Sequence, residues 1–212
     1  MGQNLRVDSY EPYVFGLKLG DIDIGTINKK FREILPTMNF EVPPLPPNMP
    51  FSPGPIQVVG IKDGTELKIN FDSNSILIES NKPHNVKNLF EEVRTLFELV
   101  KLDMDDSIVF YEIISNVVVE SDKNPRKIIN NSCHINTNNL SDLDTFVSGI
   151  KINSLDTDGK KLISLIIEPR AGNPKKFYFV NFVYRTDDPS DLIGFHDKVD
   201  EKIKEVINSL ED

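Results

Sequence analysis

Few side chains in this sequence have the type and spacing that chemistry needs. The three histidines, His84, His134 and His196, are dispersed. Cys133-His134 is the one Cys/His pair. Zinc takes three or four ligands at regular spacing, and no CxxC or HxxxH run supplies the others. A Cys–His nucleophile needs a third, orienting group, and sequence neighbours rarely point at each other in that geometry. His84 follows Pro83 in the first turn of an expected helix, where it is solvated. His196 lies on the apolar stripe of the last helix, where a packed core histidine is expected. Asp156-x-Asp158-Gly159 has the start of a calcium loop, but Ile167 stands where the loop needs its twelfth-position Glu. A hairpin turn explains these residues better. Asp142 with Asp144, and Asp103 with Asp105 and Asp106, are carboxylate clusters of a kind that can do acid–base work; in an acidic chain they read as solvated loops. GxxxxGK[ST], GxGxxG and GxSxG are absent. No catalytic residue, metal or cofactor is assigned, and the balance leans against an enzyme.

The elements that would position a site occur in one order twice. Tyr13–Leu19 and Ile108–Glu120 read as opening strands. A short helix follows each, Ile27–Leu35 and Pro125–Asn131. Three strands come next: Gln57–Ile61, Thr65–Phe71 and Ser75–Glu79 in the first half, and Val147–Leu155, Lys160–Glu168 and Lys175–Arg185 in the second. Asp63-Gly64 is a strong hairpin signal. Each half ends in a long amphipathic helix. Val86, Leu89, Phe90, Val93, Leu96, Phe97 and Val100 form one stripe; Leu192, Phe195, His196, Val199, Ile203, Val206, Ile207 and Leu210 form the other. Pro83 and Pro189 suit a first helical turn, and Asp187 and Asp188 are natural caps.

The expected fold is therefore α+β, with two similar β-α-β-β-β-α halves, residues 1–105 and 106–212, in one domain or two. An antiparallel sheet would carry the long helices on one face. The order of elements resembles that of the TATA-binding protein family, which also duplicates an α/β half; this sequence has one strand fewer per half. That resemblance implies a duplicated fold. It does not carry DNA binding with it, because displacing counterions from phosphate needs clustered cations. The net charge is −9, with 11 basic and 15 acidic side chains up to residue 105 and 13 and 18 beyond it. Neither half is a basic patch, so no nucleic acid is expected.

No run of 18 apolar residues suggests a membrane span, and the first residues lack an apolar signal core. One cysteine excludes an internal disulfide and fits a cytoplasmic location. Asn130-Asn131-Ser132 is a chance sequon on this reading. Pro43, Pro44, Pro46, Pro47, Pro50, Pro53 and Pro55 crowd residues 42–56. They read as a stiff crossover between the first short helix and the next strand, in preference to a docking peptide.

Strands alternate faces. In Ile108–Glu120 the odd positions, Val109 to Val119, are nearly all apolar and suit packing under helices. The even positions are mixed. First-half outer positions read Lys18, Gln57, Glu66, Lys68, Asn70 and Glu79, a solvated face. The second half would expose Phe110, Ile114, Leu162, Ile166, Phe177, Phe179 and Val183. Soluble monomers rarely leave such a patch bare. The expected contact is this face, with Phe110, Glu112, Asn116, Phe177, Phe179, Asn181 and Arg185 as its ligand- or partner-binding residues. The leading expectation is a non-enzymatic interaction or scaffold protein that forms a homo-oligomer or binds a protein partner. The alternative is a small-molecule-binding protein or enzyme with a pocket on the same face.

Overall fold

A computed structural model describes residues 5–20, 30–43, 57–70, 73–132 and 148–211. Most of the proline crossover, Cys133-His134, Asp142 and Asp144 lie outside these residues. The strands are β1 (Arg6–Leu19), β2 (Gln57–Lys62), β3 (Thr65–Asn70), β4 (Ser75–Ser80), β5 (Ile108–Glu120), β6 (Ile150–Leu155), β7 (Leu162–Pro169) and β8 (Phe177–Thr186). The helices are α1 (Pro83–Val100), α2 (Met104–Ser107), α3 (Pro125–Ser132), α4 (Pro189–His196) and α5 (Val199–Glu211). A helical turn over 30–34 runs into a tighter turn at Leu35–Met38.

All eight strands form one antiparallel sheet in the order β2-β3-β4-β1-β5-β8-β7-β6. The order is symmetric about the β1–β5 pair, so each half contributes its opening strand to the middle. Turn chemistry sets the hairpins. Asp63 (φ 50°) and Gly64 (φ 72°) take the two left-handed positions of a two-residue turn. Gly159 (φ 72°) closes the 156–159 turn, where the Asp156 carboxylate accepts from the Lys161 N–H at 3.0 Å. The hairpin turn expected from the sequence stands there.

One face of the sheet carries Tyr13, Phe15, Leu17, Leu67, Ile69, Ile76, Ile78, Tyr111, Ile113, Val117, Tyr178, Val180 and Phe182, all buried. The stripes of α1 and α5 pack there in one cluster, with Phe15 and Phe90 edge to face at 5.6 Å. Each such side chain removed from water stabilises the fold by roughly 1.5–3 kcal/mol. α1 starts at Pro83 and ends where Lys101 turns left-handed (φ 61°) and its N–H reaches the Glu98 carbonyl at 3.0 Å.

Several expectations need correction. The last helix is two, broken at Asp197-Lys198. β1 starts at Arg6, seven residues earlier than Tyr13. Asp105 and Asp106 lie on the short helix α2, with Asp103 as its cap accepting from the Asp105 N–H at 2.9 Å, and not in a loop. Val109 is 57% exposed and does not share the burial of the other odd positions of β5. The chance reading of the 130–132 sequon is not among these corrections: its residues sit in α3, where the Ser132 hydroxyl donates to the Ile128 carbonyl at 2.9 Å.

Candidate functional site: the outer face of the sheet

Register fixes which side chains meet on the face away from the helices. One row runs Val59, Lys68, Leu77, Gly16, Glu112, Arg185, Leu162, Leu155 across all eight strands. The next runs Ile61, Glu66, Glu79, Val14, Ile114, Val183, Ser164, Asn153. Beyond them Asn116, Asn181, Ile166 and Lys151 align, then Val118, Phe179 and Glu168, then Glu120 and Phe177. The seven expected site residues thus share one face of the adjacent strands β5 and β8. All seven are half-buried.

The polar members pair across strands. Arg185 donates to the Glu112 carboxylate at 3.0 Å, and its guanidinium lies over the Phe110 ring, 4.1 Å from the centroid. Such stacking holds the planar cation in one orientation. Glu112 in turn lies across Gly16. A Cβ there would stand 2.8 Å from the Glu112 Cγ, so only glycine admits this placement. Asn181 donates its side-chain amide to Asn116 at 2.8 Å. These polar residues are satisfied within the sheet, and they fix a surface of set shape.

Charge closes the ends of the face. Glu120 accepts from Lys176 at 2.7 Å and also from Arg6. The Lys176 bond, assisted by Arg6, holds its carboxyl below the usual range. Arg170 at the end of β7 reaches Glu11 of β1 at 2.9 Å, although β8 and β5 lie between those strands. Beneath this traffic Val118 is fully buried. In the first half Lys68 bonds Glu66 at 2.9 Å and Glu79 at 2.6 Å. Burial works to lower the Lys68 pKa, but these two bonds outweigh it and the pKa is raised.

The first-half face is less plainly solvated than its charged residues suggest. Val14, Val59, Ile61 and Leu77 also point outward there, by register. They could have been found by carrying the alternation along β1, β2 and β4 as far as that along β5. The Arg170–Glu11 pair could not, because it depends on strand order.

The remaining candidates resolve as structure. His84 is exposed. His196 is buried, its Nδ1 2.7 Å from the Tyr13 hydroxyl and its ring against Tyr13 and Phe15. A base enclosed by two core aromatics has no route to a substrate. Between the β2–β3 turn and α1 lies a cleft of about 60 Å³, lined by Lys62, Asp63, Thr65, Asn85, Asn88 and Glu92 among others. The Thr65 hydroxyl is buried with no partner among the described residues, and the cleft has room for about two water molecules. Among the described residues no group of three or more His, Cys, Asp and Glu is placed to hold a metal, and no helix is long and apolar enough to cross a membrane. Compared with known proteins, the chain matches no family model and no curated protein.

Proposed function

We propose that this is a non-enzymatic interaction or scaffold protein whose contact is the outer face of β5, β8 and β7. One observation carries the reading. Phe110, Ile114, Leu162, Ile166, Phe177, Phe179 and Val183 form an apolar field on that face, and the described helices pack on the opposite side. Interfaces of this kind centre on aromatic and arginine anchors within a polar rim. Phe110, Phe177, Phe179 and Arg185 are the anchors here, and Glu112, Asn116 and Asn181 set specificity. The occupant is a second copy or a protein partner. The symmetric strand order supports a duplication of residues 1–105 as 106–212, and the single cysteine supports a reducing, cytoplasmic setting.

Mass in solution tests this, by light scattering at tens of micromolar, on the wild type and on Phe179→Glu. The variant places a charge at the centre of the field and breaks an assembly built on it. Unchanged mass, melting temperature and amide exchange across β5 and β8 would overturn the proposal.

A further inference from the structure

The sheet has two edges, β2 and β6, and they are treated differently. At β2 the chain closes its own edge: Glu41 and Ile61 exchange both backbone hydrogen bonds at 2.9 Å. β6 pairs with β7 alone, and among the described residues nothing lies along its other side. Every second residue of an edge strand turns its N–H and C=O outward, so about three of its residues offer unpaired groups. β6 has no proline and no register shift against β7. Of the usual guards against edge pairing it carries only Lys151. At its end Leu155 is 63% exposed, the highest of the large apolar side chains described.

We propose that β6 pairs antiparallel with β6 of a second copy, about a twofold axis at Asn153. Opposed residues of such a pair share a face. Asn153 then meets Asn153 of the partner, as Asn116 meets Asn181 within this sheet. The Asn153 oxygen accepts from the Ser164 hydroxyl at 2.8 Å, and its amide nitrogen has no partner among the described residues. Lys151 lies opposite the partner's Leu155. Its ammonium comes beside the partner's acidic turn, Asp156 to Asp158, and symmetry repeats the match. A parallel, in-register pair would instead stack Lys151 on Lys151. The strand is thus self-complementary in charge in one direction only.

Two six-residue strands bury less than a standard interface, so association is weak and needs high concentration to populate. The inference concerns an edge and not the outer face, which it leaves free for a different protein. A second isologous contact through the outer face would close only where its twofold axis intersects that of the edge pair, as in a D2 tetramer.

Sedimentation equilibrium of the full chain, from tens to hundreds of micromolar, is the test. The wild type rises toward twice the chain mass. Lys151→Glu weakens association about tenfold, since its carboxylate faces Asp156 and Asp158. Adding Asp158→Lys restores it, and Phe179→Glu leaves it intact. Unchanged melting temperatures show that the variants fold. A dimer that survives Lys151→Glu overturns the edge. If it is lost in Phe179→Glu alone, the copies meet through the outer face and only the edge inference fails. A monomer at every concentration overturns it too, and slow exchange of the β6 amides would then show that the chain covers its own edge.

Discussion

His196 shows what one residue contributes when its chemistry is taken into a core. Burial lowers its pKa from the ordinary 6.5; Lys87 pushes the same way, and Asp197 opposes both. The Tyr13 hydroxyl bonded to its ring is pushed up, chiefly by burial. The pair is therefore neutral at neutral pH. Below about pH 6.5 the unfolded chain takes up a proton that the folded ring resists. Stability is full above that pH and declines as pH falls toward the folded value. The urea midpoint should drop between pH 7.5 and 5.5 by more in the wild type than in His196→Phe, with a slope of at most about 1.4 kcal/mol per pH unit from this group. Equal drops would remove His196 as the cause. Its core placement was legible from spacing alone, because it sits four residues after Leu192 and three before Val199 on the stripe. The Tyr13 partner was not, being 183 residues away in sequence.

At the scale of elements, most strand bounds were legible to within two residues, since alternation and turn residues act locally; the starts of β1 and β6 were not. Ile108–Glu120 matches β5 at both ends. The break between α4 and α5 was invisible because the apolar stripe keeps its phase across it. Ile193, Phe195 and Val199 all pack on the core, while the Lys198 N–H bonds the Phe195 carbonyl at 3.0 Å in a tight turn between the helices. Lys87 of α1 pairs with Asp197 at that turn at 2.6 Å. α4 starts independently: Asp188 is its cap and accepts from the Ser190 N–H at 2.7 Å, whereas Asp187 pairs outward with Lys160 at 2.9 Å. Two adjacent aspartates thus predict different outcomes. Asp188→Ala leaves a helical N–H without a partner and costs about 1 kcal/mol. Asp187→Ala loses only an exposed ion pair, which salt screens, and costs much less. Chemical denaturation of both variants checks the order; equal losses would mean that Asp188 does not act as a cap.

For the whole molecule, strand order and the full outer face could not be read, because the β1–β5 register joins residues about a hundred apart and is set by tertiary packing. That central pair bears on how the chain unfolds. β1 belongs to the first half and β5 to the second, yet they share the longest ladder in the sheet. Phe90 of α1 touches Phe15 at 5.6 Å and Tyr111 of β5 at 6.1 Å, so the core cluster crosses the same boundary. Burial pushes the Tyr111 hydroxyl up to about 12, as expected beside such a cluster. A molecule joined in this way should melt as one unit. Phe90→Ala removes a ring only 1% exposed, at a cost of about 3–5 kcal/mol. In a chain of this size that lowers the melting temperature by roughly 10 °C. Calorimetry of the variant should show one transition, moved as a whole, with calorimetric and van't Hoff enthalpies still equal. Two transitions, of which only one moves, would mean that residues 1–105 and 106–212 fold as separate domains despite their common sheet.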